Sequence, residues 1–277
     1  MTIFTEGAVE SRVWIDDTLL QKDFNVAVLL NSEEPALPSM RNMGVTVPGR
    51  HGAYDFGAYF EPREFALNCV FKRQPYDDLK RQIRALNRLF VDQYGRPKTV
   101  QLRFGDEVDK YYNARITEGI SIDRVAERGF FTLGLTAFDP YAYSTVTADE
   151  ILWGSEVITF EFNYLLGTEA FGGIKVTAPR ALNVNLHGDA LRPIFVIDGS
   201  AKALTISANG KSFSLPAFTN TRWEIDGADF TVKRNGTLDL AAMTGDFIEL
   251  INGDNNVVVG GGGLNFDLTV KYRDKYI

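Results

Sequence analysis

The sequence predicts a mainly β protein with two domains: an N-terminal β-sandwich with one α-helix, and a C-terminal β-sandwich or jelly roll. Three observations lead to this fold class. Apolar and polar residues alternate in many short runs, which is the period of a half-buried strand. Turn signals rich in glycine and asparagine separate the runs, most densely in the second half. Only one stretch has the period of an amphipathic helix.

Residues 47–71 contain the clearest turn and strand of the first half. Pro48-Gly49 predicts the centre of a tight turn, because proline sets its own φ and glycine accepts a positive φ. A strand is then predicted from the alternation of apolar residues with their neighbours. Its apolar members are Phe65, Leu67, Cys69 and Phe71.

The one convincing helix is predicted over residues 76–92. Pro75 suits a helix start, and Gly95 and Pro97 end the pattern. The apolar stripe of this helix consists of Leu79, Ile83, Leu86 and Phe90. Basic residues occupy most of the other side, and that side is either a solvated face or a surface for an acidic partner. They are Lys80, Arg81, Arg84 and Arg88.

The predicted domains are residues 1–145 and 146–277, with the link between 139 and 150. Residues 31–44 contain two prolines and no clean period, so they are predicted to form a long exposed loop that contacts a partner. The second half predicts eleven short strands between residues 156 and 272. Asn209-Gly210 is its strongest hairpin signal, and residues 260–263 are interpreted as a flexible turn.

Charge and composition exclude several function classes. The net charge is −7; residues 1–145 carry 18 basic and 20 acidic side chains, and residues 146–277 carry 11 and 16. Neither half has the basic excess of a nucleic-acid-binding protein. No apolar run is long enough for a membrane-spanning helix, so no membrane insertion is expected. The single cysteine, Cys69, allows no internal disulfide.

The sequence contains no catalytic or metal-binding pattern. His51 and His187 are the only histidines, and neither has the spacing of a metal site. Cys69 lies in phase with the apolar face of its strand and is expected to be a buried small side chain. The sequence therefore predicts that the protein is not an enzyme and needs no cofactor. Trp153 and Trp223 are candidates for stacking on a glycan, although buried sandwich aromatics are the favoured interpretation.

The chain resembles the distal tail proteins of long-tailed phages with non-contractile tails. The residues that carry the resemblance are the turn 48–52, the strand 63–71, the helix 76–92, Asp139-Pro140-Tyr141, the re-entry strand 192–199, and a closing hairpin from residues 250–257 and 268–273. The second domain of that family is similar to galectins and carbohydrate-binding modules.

The resemblance implies a structural hub at the tail tip of the virion, assembled in the host cytoplasm. In the family, a homo-oligomeric, hexameric ring joins the tail tube protein to a tail-associated hub protein and, in some relatives, to a receptor-binding protein, while DNA passes only through the lumen. A closed ring needs a head-to-tail interface. The interface candidates are Pro35, Leu37, Pro38, Met40, Arg50 and His51.

Two alternatives remain open at this point. One is a carbohydrate-binding protein that contacts host-surface glycans, which would show as weak sugar binding lost on changing Trp153 or Trp223. The other is a polysaccharide hydrolase, which would need a carboxylate whose change abolishes turnover.

Overall fold

A computed structural model describes residues 11–72, 76–125, 128–150 and 172–277. The chain divides into two compact units, one ending at Ala142 and the other running from Tyr143 to Tyr276; we call them domain 1 and domain 2. Strands dominate both. The mainly β fold class predicted from the sequence is confirmed. None of the helices in the described ranges is long and apolar enough to cross a membrane.

The described part of domain 1 contains ten strands, a four-residue helix α1 that the sequence did not predict, and the longer helix α2. Their bounds are β1 Val13–Ile15, β2 Thr18–Leu19, α1 Leu20–Asp23, β3 Val26–Val28, β4 Met40–Val45, β5 Tyr54–Phe60, β6 Arg63–Phe71, α2 Tyr76–Leu89, β7 Thr99–Phe104, β8 Lys110–Ile116, β9 Asp123–Val125 and β10 Arg128–Ala137. A short strand, β11 Ala142–Ser144, follows at the domain boundary.

The main sheet of domain 1 is antiparallel and has the order β2-β1-β7-β8-β10-β6-β3, with β9 paired to β10. The longest strand pairing in this sheet joins β6 to β10, from Arg63↔Ala137 to Phe71↔Gly129. A bridge between Ser11 and Val28 ties the chain before β1 to β3, at the other end of this order. The sheet therefore folds back on itself around one core.

The predicted alternation along β6 is confirmed. Its apolar members, Phe65, Leu67, Cys69 and Phe71, are at most 3% exposed. Burial raises the pKa of the Cys69 thiol to about 12, so this thiol is not an activated nucleophile.

Helix α2 is shorter than predicted and ends at Leu89, three residues before the expected 92. The chain turns back after it: Lys98 donates a backbone hydrogen bond to Phe90, and the Asp92 carboxylate accepts from the N–H groups of Tyr94 and Arg96. These hydrogen bonds compete with the backbone bonds that would extend the helix beyond Leu89. The predicted apolar stripe is buried at Leu79, Leu86 and Phe90 and half-buried at Ile83.

Domain 2 consists of twelve further strands and two short 3-10 helices in its described part. Their bounds are η1 Ala148–Glu150, β12 Ile174–Val176, β13 Arg180–Leu186, β14 Ile194–Ala201, β15 Ala203–Ala208, β16 Lys211–Leu215, β17 Phe218–Asp226, β18 Thr231–Arg234, β19 Thr237–Leu238, η2 Leu240–Ala242, β20 Thr244–Gly245, β21 Gly253–Gly262, β22 Asn265–Lys271 and β23 Lys275–Tyr276. The predicted strand 156–163 lies outside the described residues, and the predicted strand 247–251 is not a strand.

Two sheets of domain 2 enclose one apolar core. Their orders are β12-β22-β14-β17-β18-β19 and β13-β21-β15-β16-β20, and the core includes Trp223, Phe195, Phe213 and Phe266, each at most 1% exposed. The Asn209-Gly210 hairpin is confirmed, with positive φ at both residues, 50° and 77°, as a type I′ turn requires.

Two interpretations of the C-terminal part were wrong. Strands β21 and β22 belong to different sheets, so residues 250–257 and 268–273 do not form a closing hairpin. Gly260–Gly262 are the end of β21 and not a flexible turn. A Cβ on Gly261 would lie 2.0 Å from the Ala203 carbonyl oxygen, so glycine is needed here for close backbone contact with β15.

A buried amide holds one end of this second sheet together. Asn255 is fully buried. Its Nδ2 donates to the carbonyl oxygens of Val184, Ile251 and Gly253, and its Oδ1 accepts from Ile251 N–H at 2.8 Å and from Asn209 Nδ2. A satisfied buried amide of this kind orders the loop before β21 and connects it to the Asn209 turn.

A buried carboxyl in domain 2 gives a testable pH dependence. Burial raises the pKa of Asp274 above its ordinary value of 3.8, although the backbone N–H groups of His187 and Gly188 donate to it. The folded state therefore binds this proton more readily than the unfolded state, and the stabilising effect of protonation is lost as pH rises above 3.8. Asp274→Asn keeps the acceptor oxygen without the buried charge.

We expect Asp274→Asn to unfold at a higher temperature than the wild type at pH 7, with the difference shrinking towards pH 4. Thermal unfolding by circular dichroism at both pH values measures this difference. Asp189→Asn, at an exposed position in the loop after β13 that contacts Asp274, serves as the control and should change little. A difference that grows as the pH falls would contradict the prediction.

Candidate functional site

One segment of domain 1 stands apart from the rest of the protein. Every residue from Ser39 to Phe60 is exposed. Among the described residues, strands β4 and β5 pair only with each other and form a separate two-stranded sheet. We call residues 39–60 the arm. Each strand of the arm is roughly 20 Å long.

The tip of the arm is the turn predicted from the sequence. Arg50 N–H donates to the Val47 carbonyl oxygen at 3.1 Å, and Gly49 has φ 81°, the values of a type II turn with Pro48 at its second position. The Arg50 guanidinium lies 4.0 Å from the centre of the Tyr54 ring and donates to its hydroxyl. The predicted tight turn is confirmed.

Contacts between its two ends close the root of the arm. Glu61 N–H donates to the Ser39 carbonyl oxygen at 2.8 Å, and the Glu61 carboxylate lies 3.4 Å from Arg41. Pro38, the residue before the arm, is buried. The arm therefore starts and ends at a fixed point and projects from it.

A β-bulge in β5 decides which side chains share a face. Asn42 pairs with Ala58, but Gly44 pairs with Asp55, so two residues of β5 lie opposite one residue of β4. Gly57 is one of the two, with φ 92°, a conformation that suits glycine. Asp55 accepts a hydrogen bond from Gly57 N–H at 2.9 Å.

The bulge brings Tyr59 onto the same face of the arm as Tyr54 and Phe56. The pairs Arg41↔Tyr59 and Val45↔Tyr54 each share a face, and residues 41, 43 and 45 share a face by the period of a strand. Without the bulge, Tyr59 and Tyr54 would lie on opposite faces. The resulting apolar arm face consists of Met43, Val45, Tyr54, Phe56 and Tyr59, which are 45–67% exposed. The other face carries Asn42, Asp55 and Ala58, with Met40 and Phe60 near the root.

The arm needs a partner on physical grounds. A two-stranded hairpin alone is at best marginally stable in water, and a contiguous exposed apolar surface marks an interaction site. The free outer edges of β4 and β5 also offer backbone hydrogen-bond groups. The geometry supports contact with another protein surface.

The predicted interface residues lie in and beside this arm, with one exception. Leu37, Met40, Arg50 and His51 are exposed and Pro35 is half-buried. The exception is Pro38, which is buried and so offers little surface to a neighbouring chain. Their role as an interface stays a prediction.

The aromatic residues of the arm and strand β4 were not predicted. Residues 31–44 were predicted to form a loop because they contain two prolines and no clean period. The signal that was available is the run Tyr54, Phe56, Tyr59 and Phe60 directly after the Pro48-Gly49 turn.

The proposed glycan-stacking residues do not form a site. Trp223 is fully buried and packs against Phe218, with ring centres 6.2 Å apart, so it has no face for a sugar and was a wrong candidate. Trp153 lies outside the described residues. In the described ranges, no group of three or more His, Cys, Asp or Glu side chains is placed to hold a metal ion.

Residues 20–137 match a family model described as the phage tail protein RIFT-related domain. This match includes the arm, β6, α2 and β10 and covers less than half of the chain. Domain 1 is therefore similar to this phage tail protein domain.

A solved structure has a similar fold over nearly the whole chain. The structure of SPP1 Dit (gp 19.1), described as a paradigm of the hub adsorption apparatus in phages that infect Gram-positive bacteria, matches with a TM-score of 0.68 and 18% identity. The alignment covers 96% of this chain and 99% of that one. The predicted resemblance to siphophage distal tail proteins is confirmed. A chain of the activated, calcium-bound phage P2 baseplate matches with a TM-score of 0.45 and 7% identity, over 97% and 99% of the two chains. No curated protein matches by sequence.

Proposed function

We propose that the chain is a structural hub protein of a siphophage tail that forms a hexameric ring between the tail tube and the tail tip. The observation that carries the proposal is the arm, with five large apolar side chains exposed on one face. The family model and the fold support a role in the tail hub or baseplate. In this proposal the apolar arm face is covered by a neighbouring copy in the ring.

The ring geometry follows from the kind of contact the arm can make. An arm that leaves its own domain and covers a different surface of the next copy makes a head-to-tail contact. Such contacts close into a ring when the rotation per copy divides a full turn. Six copies are proposed from the resemblance to distal tail proteins.

The partners follow from the same role. The ring would contact the tail tube protein on one side and a tail-associated hub protein on the other, with domain 2 available for a receptor-binding protein. DNA would pass only through the lumen, and the net charge of −7 disfavours its adhesion. The place of the protein is then the virion tail tip, after assembly in the host cytoplasm.

The ring is tested by native mass spectrometry and negative-stain imaging of the purified chain. We expect a closed six-fold ring for the wild type and monomers for Phe56→Asp/Tyr59→Asp. Covering the arm face would bury the two new carboxylates without an opposite charge, which costs free energy. The variant should keep its unfolding temperature, since both side chains are more than 60% exposed.

The control is Tyr94→Asp/Leu238→Asp, which places two carboxylates on side chains that are 75% and 68% exposed outside the arm and should leave the ring intact. Deleting residues 33–43 is a less specific test than these changes. It would remove strand β4, buried Pro38 and the bridge from Glu33 to Ala66. A wild type that stays monomeric at every concentration, or a ring that survives the arm changes, would contradict the proposal.

A further inference from the structure

The outer side of helix α2 carries a row of like charges. Lys80, Arg84 and Arg88 follow each other at intervals of four residues and are exposed, so their side chains lie next to one another along the helix. We call these three residues the basic row. Arg84 and Arg88 have no ion-pair partner among the described residues, whereas Arg81 beside them pairs with Asp78. Like charges at this spacing repel each other, so a row of them indicates a surface that meets an opposite charge.

The same domain carries a group of exposed carboxylates without ion-pair partners among the described residues. Glu33, Glu34 and Asp106 are exposed and form no ion pair within the described part of the chain. We call them the acidic cluster. Partial burial of the Glu34 carboxylate and its repulsion by the Asp106 charge both raise the pKa of Glu34. A cation placed between them would relieve that repulsion.

The basic row and the acidic cluster lie at opposite ends of the strands of domain 1. Glu33 pairs with Ala66 near the start of β6, and Asp106 follows the end of β7. Helix α2 lies at the other end: Leu79 packs by Gly129, which pairs with Phe71, the last residue of β6. Ala66 and Phe71 are separated by about 17 Å of strand. In the described part of the chain, no carboxylate of the acidic cluster pairs with Arg84 or Arg88.

We propose that the basic row of one copy docks against the acidic cluster of a second copy. Complementary charges at opposite ends of one domain are the arrangement of a head-to-tail contact. The inference rests on the proposed ring and adds a second contact, separate from the arm. It sets the orientation of neighbouring copies and makes their association dependent on salt.

The test is charge reversal and rescue in the full-length chain. Arg84→Glu/Arg88→Glu and Glu34→Arg/Asp106→Arg should each weaken assembly by about tenfold or more, measured by sedimentation velocity at low salt. The chain with all four changes should recover assembly, because the charges are again complementary. An equimolar mixture of the two double variants should also associate, because the reversed row of one variant is complementary to the reversed cluster of the other.

Lys175→Glu/Arg222→Glu in domain 2 changes the net charge by the same amount as Arg84→Glu/Arg88→Glu and is the matched control. It removes two exposed ion pairs, at 3.7 Å each, of a kind that contributes little to stability, and should assemble normally. Unfolding temperatures confirm that every variant is folded. Assembly of a reversed variant at wild-type strength, or a folded quadruple variant that does not recover, overturns the proposed contact while leaving the ring itself intact. A wild type that never assembles overturns both.

Discussion

Trp223→Ala is expected to lower the stability of domain 2 by about 3–5 kcal/mol, the usual cost of removing a fully buried large aromatic side chain. Trp223 is 0% exposed and sits in the middle of β17, between Ile197 of β14 and Arg234 of β18. Its ring also contacts Phe218 edge-on. Differential scanning calorimetry of the full chain measures the loss in the transition that belongs to domain 2.

Leu238→Ala is the control for this change, because Leu238 lies in the same sheet and is 68% exposed. Its cost should stay within about 0.5 kcal/mol. The result also bears on function. A loss of glycan binding in Trp223→Ala would reflect an unfolded domain, so Trp223 cannot be used to test a sugar site. A cost below roughly 1 kcal/mol would mean that the core is not arranged as described.

Gly57→Val is expected to weaken assembly by roughly tenfold or more without changing the unfolding temperature of domain 1. A valine at φ 92° is strained by about 1–3 kcal/mol. The strain is in the backbone alone, since a Cβ at this position would meet nothing within 4 Å. If the bulge is lost, Phe56 and Tyr54 move to the face opposite Tyr59, and the apolar arm face is divided between two sides.

Ala58→Val is the matched control for this prediction. It adds the same β-branched side chain one residue further along β5, in a strand conformation that favours it, and should assemble like the wild type. Sedimentation velocity and circular dichroism on both variants separate the two effects. Gly57→Val assembling as well as Ala58→Val would mean that the bulge does not matter for the contact.

Local signals predicted the parts of the fold that depend on neighbouring residues. The apolar period of β6, the Asn209-Gly210 turn and the Pro48-Gly49 turn each follow from a few consecutive residues, and the structure contains all three. The helix start at Tyr76 was also predicted. Its end was not, because the Asp92 carboxylate caps a turn that competes with the last helical residues.

Pairing between distant strands could not be predicted from the sequence. The bulge in β5 is visible only in the register of β4 and β5, so the apolar arm face had no signature beyond a few aromatic residues. Strands β21 and β22 were predicted to form a closing hairpin from the resemblance to distal tail proteins. Their separation into two sheets depends on which strands they contact, β13 and β15 in one case and β12 and β14 in the other.

The burial of Cys69 has a practical consequence for studying assembly in solution. It is the only cysteine of the chain, it is 1% exposed, and thiol reagents react with exposed thiolates. A cysteine introduced at Asn42, on the exposed polar face of the arm, would therefore be the one thiol open to labelling. A fluorophore attached there would report the environment of the arm directly, in the free chain and as copies come together.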